Sequence, residues 1–177
     1  GAAGIGLPAG ILNMLHGDAQ TGDALIRQPA VQTISFTGSK AVGDQVDATA
    51  SGLGKRVMKE VAGINFFYVH EEADIERAAR NFVYGKTITS GQRCSSIQEA
   101  LVDRKVEREF TARVLELAPG VVHGPGGSDE LTAADASSES WSCPPLVSPE
   151  QRDRLAALVR SSIEQGAELL YEAELPD

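Results

Sequence analysis

Cys94 stands in Gly91-Gln92-Arg93-Cys94, a polar stretch with a cation beside the sulfur. Access plus a nearby positive charge favours the thiolate, the form of cysteine that attacks carbon. A lone cysteine is also often a small buried hydrophobe, so residue type alone leaves both roles open. Glu60 lies 34 positions earlier (94 − 60), just before Val61-Ala62-Gly63. A carboxylate closing an apolar strand is expected to be partly buried there, the setting that makes it a useful general base. A solvated strand-end acid would look the same in sequence. Further upstream comes Phe36-Thr37-Gly38-Ser39, followed by Gly43. When a strand ends in glycine and passes through serine into a helix, the helix N–H groups point at an anion and glycine lets it approach. Gly43 would allow the helix to pack closely. The pattern is not G-x-G-x-x-G, and a plain strand-to-helix turn has the same composition. Taken together, a nucleophile, a base and a phosphate cradle outline covalent redox chemistry at a carbonyl.

Other reactive side chains add little. Cys143, in Ser142-Cys143-Pro144-Pro145, reads as incidental. His16, His70 and His123 are scattered and lack ligand spacing, so no metal site is expected. The acidic stretches 71–80 and 150–154 read as solvated faces.

These residues need elements to hold them. A turn is expected at residues 6–10 and a short buried strand at 11–15, ended by Gly17. Residues 18–27 have helical composition and stop before Pro29. Residues 31–36 read as a strand. Ser39 can cap a helix reaching about residue 51, closed by Gly52 and Gly54. Residues 56–61 are a third strand candidate. Strand, helix, strand, helix, strand is the order of a parallel sheet with crossovers. Beyond Gly63, residues 66–69 read as a strand. Asp74 opens a helix whose Ile75, Ala78, Ala79, Phe82 and Val83 form one apolar stripe. Residues 86–93 read as a polar loop, 97–102 as a strand, and 106–118 as a helix with Val106, Phe110 and Val114 on one side. Residues 124–140 lack periodicity and read as a long exposed loop. Ser148-Pro149 is a helix start, with Leu155, Leu158, Val159 and Ile163 as its buried stripe. Gly166 ends that helix, and 167–171 reads as one more strand.

The bulk composition sets limits. The chain has 177 residues, 42% hydrophobic and 23% charged, with a formal net charge of −9. That length suits one domain with a real core and is short for two. The charge argues against general affinity for nucleic acid or anionic membranes, and no apolar run is long enough for a membrane span. The N-terminus has neither a basic n-region nor a methionine, so it is not a signal peptide. Two cysteines make no disulfide framework; free thiols point to a reducing, cytoplasmic setting.

Several stretches together resemble the NAD(P)-dependent aldehyde dehydrogenase superfamily. Gly6-Leu-Pro-Ala-Gly-Ile-Leu-Asn13 with His16-Gly17 is similar to that family's segment before its cofactor strand. Ile34-Ser-Phe-Thr-Gly-Ser39 with Val42-Gly43 is similar to its cofactor motif. Lys55-Arg-Val57 leading to Glu60 is similar to the approach to its base, and Gly91-Gln-Arg-Cys94 to its nucleophile motif. Pro145-Leu-Val-Ser148 and Gly166-Ala-Glu-Leu-Leu170 are similar to a stretch further on. The resemblance implies an α/β fold, with residues 1–62 the C-terminal part of a Rossmann-like NAD(P)-binding domain and 63–177 the first part of the catalytic domain. It implies NAD or NADP as cofactor, a small-molecule aldehyde as substrate, and a homo-oligomeric full-length parent. Cys94 becomes the nucleophile that forms a thiohemiacetal and then a thioester, and Glu60 the base that hydrolyses it. Phe36, Thr37, Gly38, Ser39, Gly43 and Val61 become cofactor contacts.

From its base onward the family usually reads Glu-Leu-Gly-Gly-Lys, then a small or amide residue, then Pro, whereas this chain has Glu60-Val61-Ala62-Gly63-Ile64-Asn65-Phe66. If the Ala62 position requires a positive φ, alanine there costs on the order of 1 kcal/mol. The family's chain is also much longer, which predicts an internal fragment, inactive alone, without the upstream asparagine of the oxyanion hole. Two other readings are a non-catalytic member that keeps the fold for binding or structure, and a thiol hydrolase pairing Cys94 with a histidine.

Overall fold

Gly54, with φ 71°, and Gly10, with φ 87°, bend the chain at two turns of the first of two units, Gly1–Ala62 and Gly63–Asp177. The computed structural model describes residues 8, 10–124 and 141–174. In the first unit, Asp18 accepts hydrogen bonds from the N–H groups of Gln20 and Thr21 and so starts α1 (Ala19–Arg27). The helix ends ahead of Pro29. Its last carbonyls find a cation: Lys55 Nζ donates to Ile26 O at 2.5 Å and to Gln28 O at 2.6 Å. β1 (Thr33–Gly38) and β2 (Arg56–Val61) pair in parallel, joined by α2 (Lys40–Gly52) as the crossover. Ser39 caps α2, its hydroxyl accepting from Val42 N–H at 3.3 Å. Gly43 and Ala50 are the residues α2 buries. Lys59 on β2 reaches Asp44 and Asp47 of α2 at 3.0 and 2.9 Å, which fastens strand to helix.

The second unit begins with β3 (Phe66–Val69) and passes through α3 (Ile75–Thr87) to β4 (Glu99–Val102), which lies parallel to β3. α4 (Glu107–Leu117) follows, then β5 (Val121–His123) and β6 (Trp141–Cys143), also a parallel pair. α5 (Pro149–Glu164) starts at Ser148, whose hydroxyl accepts from Gln151 N–H. Val69, Ala79, Val83, Phe110 and Leu117 form the core, with Ile75, Ala78, Val106 and Val114 packed against it. Phe82 sits between two rings, 6.0 Å from Phe67 and 5.6 Å, edge-on, from Phe110. The stripes expected on α3 and α4 are the faces these helices bury. A helix crosses over between β1 and β2 and between β3 and β4, and all strand pairs among the described residues are parallel, so the class is α/β.

Several expected elements are different. Residues 11–15 are not a strand: Ile11, Leu12, Met14 and Leu15 are exposed, with no neighbouring strand to bond among the described residues. The sheet of the first unit is therefore a pair rather than three strands. Residues 167–171 also form no strand, for the same reason. α5 exists, but Leu155, Leu158, Val159 and Ile163 are exposed and the helix buries no residue. Of residues 86–93, expected as a loop, the first two belong to α3, which runs to Thr87, and Ile88–Gly91 is a tight turn with Thr89 and Ser90 at left-handed φ. β5 and β6 have no counterpart in the sequence reading. The turn expected at 6–10 lies mostly, and the loop at 124–140 almost wholly, outside the described residues. No helix among the described residues is long and apolar enough to cross a membrane.

Candidate active site

In the first unit the parallel register brings the marked residues to one end of the strand pair. Thr37 stands opposite Glu60, and Gly38 opposite Val61. Both strands end here, and α2 begins just after its cap, Ser39. The carboxyl ends of parallel strands, beside a helix N-terminus, are where open α/β sheets bind anionic ligands. Gly43 sits one turn into α2. A Cβ on it would meet Val61 Cγ1 at 2.9 Å and Phe36 Cε1 at 3.2 Å, so glycine is what lets the helix lie this close to both strands. Phe36 is half-buried, and Thr37, Gly38 and Ser39 are exposed. Beside them is a recess of about 350 Å³ between α1 and α2, walled by Leu25, Ile26, Ile34, Phe36, Val42 and Val46. Its apolar walls and its place next to a helix start suit a flat ring attached to a phosphate.

Glu60 is exposed, not partly buried as its strand-end position suggests, because β2 has no covering layer on that side. Ala62 is not among the residues with positive φ, so the alanine imposes no left-handed strain. A side chain at Gly63 would meet nothing within 4 Å.

Cys94 belongs to the second unit and is exposed. It rides on a tight turn in which Ser96 N–H donates to Arg93 O at 3.1 Å and Arg93 N–H donates to Ser96 Oγ at 3.3 Å. Ser96 is buried, the one polar residue in the core of the described chain. Three consecutive left-handed residues lead in: Thr89 at φ 53°, Ser90 at φ 55° and Gly91 at φ 69°. For a β-branched threonine this is unusual, and each non-glycine costs about 1–2 kcal/mol. Neighbours hold the segment. Gln92 receives Val147 N–H at 2.7 Å and donates to Thr89 O at 3.1 Å and Pro145 O at 3.4 Å. Ser90 donates to Pro144 O. Past the turn, Ile97 N–H bonds Gly85 O at 3.1 Å, and Ile97 packs where any side chain at Gly85 would stand, 2.5 Å from its Cδ1. Lys86 Nζ donates to Gln98 O at 2.9 Å, and burial pushes its pKa down.

Asn65, just ahead of β3, was not marked by the sequence. Its Nδ2 donates to Cys94 O at 2.5 Å and to Ser96 O at 2.9 Å. Its amide type, at a position where the family carries a small or amide residue, is the signal that could have found it. Gln92 lay inside a motif that was quoted, but its bonds to residues 145 and 147 are tertiary. Cys143 is half-buried, with Sγ 3.5 Å from Ser90 Oγ.

A family model described as the aldehyde dehydrogenase family matches residues 2–177. The chain is 32% identical, over 172 residues, to betaine aldehyde dehydrogenase of Sinorhizobium fredii (strain NBRC 101917 / NGR234), covering 97% of this chain and 33% of that protein. It is 32% identical over 169 residues to salicylaldehyde dehydrogenase of Pseudomonas sp. (strain C18), covering 93% of this chain and 33% of that one. The structure of a putative methylmalonate-semialdehyde dehydrogenase from Sinorhizobium meliloti 1021, complexed with NAD, superposes with a TM-score of 0.83 at 27% identity, covering 96% of this chain and 33% of that one. The chain thus spans about a third of the length of the relatives it matches.

Proposed function

The chain belongs to the aldehyde dehydrogenase family, and from that premise we propose that it carries the cysteine and the base of an NAD- or NADP-dependent oxidation of an aldehyde to a carboxylic acid. Residues 1–62 are then part of the cofactor-binding domain and 63–177 part of the catalytic domain. The observation that supports this most is the Cys94 turn: an exposed thiol that follows, three residues on, a left-handed segment over-determined by surrounding hydrogen bonds, the kind of segment found beside reactive groups. The Cys94 sulfur, its proton lost to water, adds to the aldehyde carbon; a C–S bond forms as the carbonyl π pair moves to oxygen. When bound, an oxidised nicotinamide would supply the acceptor for the hydride, the C–H bond breaking as the carbonyl re-forms to leave a thioester on Cys94. Glu60 takes a proton from water, the water oxygen adds to the resulting thioester carbon, and the C–S bond breaks to release acid and thiol. The N–H groups at the start of α2, capped by Ser39, suit the cofactor's pyrophosphate. Phe36, Thr37, Gly38, Gly43 and Val61 shape the backbone around it, and the apolar recess between α1 and α2 suits its base.

A second reading, a member without catalysis, draws on the exposure of Glu60 within its unit. One experiment separates the two. In the full-length protein carrying these residues, Glu60→Gln keeps a pre-steady-state burst of reduced cofactor while steady release of acid falls, because the base acts after hydride transfer. Cys94→Ser removes the burst. A full-length protein that gives no burst with any aldehyde supports the non-catalytic reading.

A further inference from the structure

Resting on the reading of Cys94 as nucleophile, we propose that Asn65 is its positioning residue: the carboxamide holds the peptide turn from which the thiol points. Both bonds of Asn65 Nδ2 are to this turn, one to the carbonyl of Cys94 itself at 2.5 Å and one to that of Ser96 at 2.9 Å. Cys94 is exposed and so has little packing to fix its direction; its Cα–Cβ vector follows the backbone. Asn65 is itself anchored. Its N–H donates to Gln98 Oε1 at 3.3 Å, and its carbonyl accepts from Gln98 and Glu99 at 3.1 and 3.3 Å, where β3 and β4 begin to pair. The side chain thus carries the position of a parallel strand pair across to a turn about thirty residues away. It needs two hydrogens on one short planar arm. Aspartate would set oxygen against two carbonyls, and serine would bring one hydrogen on a shorter reach. Since a displacement of about 1 Å at a reacting atom can cost on the order of 100-fold in rate, the loss should appear in chemistry rather than in cofactor binding.

The test uses Asn65→Asp and Asn65→Ser in the full-length protein carrying this segment. The readouts are the burst rate, the KM for NAD(P), the rates of iodoacetamide labelling at Cys94 and Cys143 mapped by mass spectrometry, and the thermal midpoint. The expected result is a burst slowed about tenfold or more, slower labelling of Cys94, and KM for the cofactor and labelling of Cys143 within about twofold of wild type. Should Asn65→Asp fail to fold, Asn65→Ser, which keeps one donor, carries the same comparison. Wild-type burst and labelling rates in a folded variant would overturn the positioning role. So would a general change, in which both thiols label faster and the thermal midpoint falls, since that is what loss of mere structure does. Retention of the burst by Cys94→Ser would overturn the nucleophile reading as well, whereas its loss alongside unaffected Asn65 variants sinks only the role of Asn65.

Discussion

The two thiols of the chain meet different surroundings. Cys94 is exposed on a turn, while Cys143 is half-buried with its sulfur against the Ser90 hydroxyl. Alkylation needs an accessible thiolate, so limited iodoacetamide treatment of the folded full-length protein should modify Cys94 first. Faster modification of Cys143 would count against Cys94 as the nucleophile. A second single-residue expectation concerns Gly43. Alanine there would press on Val61 Cγ1 at 2.9 Å, and on Lys59 Cδ and Phe36 Cε1 at 3.2 Å each. Overpacking of this kind costs about 1–3 kcal/mol and pushes α2 off the strand ends. Gly43→Ala should therefore lower the urea midpoint of the full-length protein and weaken NAD(P) binding measured by fluorescence titration; unchanged values for both would show that α2 shifts freely. Residues such as Gly43, Ser39 and Cys94 can be read from sequence because their types sit in short local patterns. Asn65 cannot, since its work is done on carbonyls about thirty positions away and no periodicity marks such a bond.

Helix starts are readable for the same local reason: Asp18, Ser39, Asp74 and Ser148 each cap the helix that follows. Strands are readable only in part: the runs at 31–36, 56–61, 66–69 and 97–102 lie at or within about two residues of observed strands, whereas those at 11–15 and 167–171 form none, because a strand exists only where a neighbour bonds it and these have none among the described residues. Helix-to-helix ties are also tertiary. Glu76, in the first turn of α3, takes Arg113 of α4 through Nε and Nη2, at 2.5 and 2.9 Å, and Arg80 of its own helix at 2.5 Å. These guanidinium hydrogen bonds, Arg113 first, hold the Glu76 carboxyl down at about 2. A carboxylate whose pKa is lower folded than unfolded stabilises the fold above its unfolded value, and that contribution fades as pH falls through the folded one. Glu76→Gln should thus lower the thermal midpoint at pH 7, modestly because the side chain is 49% exposed. The gap to wild type should close between about pH 4.5 and about pH 2, followed by circular dichroism. A gap independent of pH would mean that glutamine disturbs packing and not charge.

The whole chain leaves much apolar surface in water. Leu155, Leu158, Val159 and Ile163 line one side of α5 and are all exposed, as are Phe66, Tyr68 and Leu101 on β3 and β4. Full burial of such a side chain contributes about 1.5–3 kcal/mol. At roughly half exposure the four on α5 forgo several kcal/mol together, a quantity comparable with the whole net stability of a typical domain, about 5–15 kcal/mol. Among the described residues the buried apolar side chains are Ile26, Ala50, Val69, Ala79, Val83, Phe110 and Leu117, a small interior to offset this. The relatives it resembles are about three times as long, and segments absent from these 177 residues are what could cover those faces. Each described sheet is a two-stranded parallel pair, and parallel strands are ordinarily covered on both faces. The 177-residue chain alone should therefore bind ANS, unfold over a broad temperature range, and form no NAD(P)H from added aldehydes. Lengthening it to the size of the relatives should abolish the ANS signal and sharpen the transition, with aldehyde-dependent NAD(P)H appearing only then. A sharp, cooperative transition with turnover from the 177 residues by themselves would show that the exposed faces cost far less than their area implies.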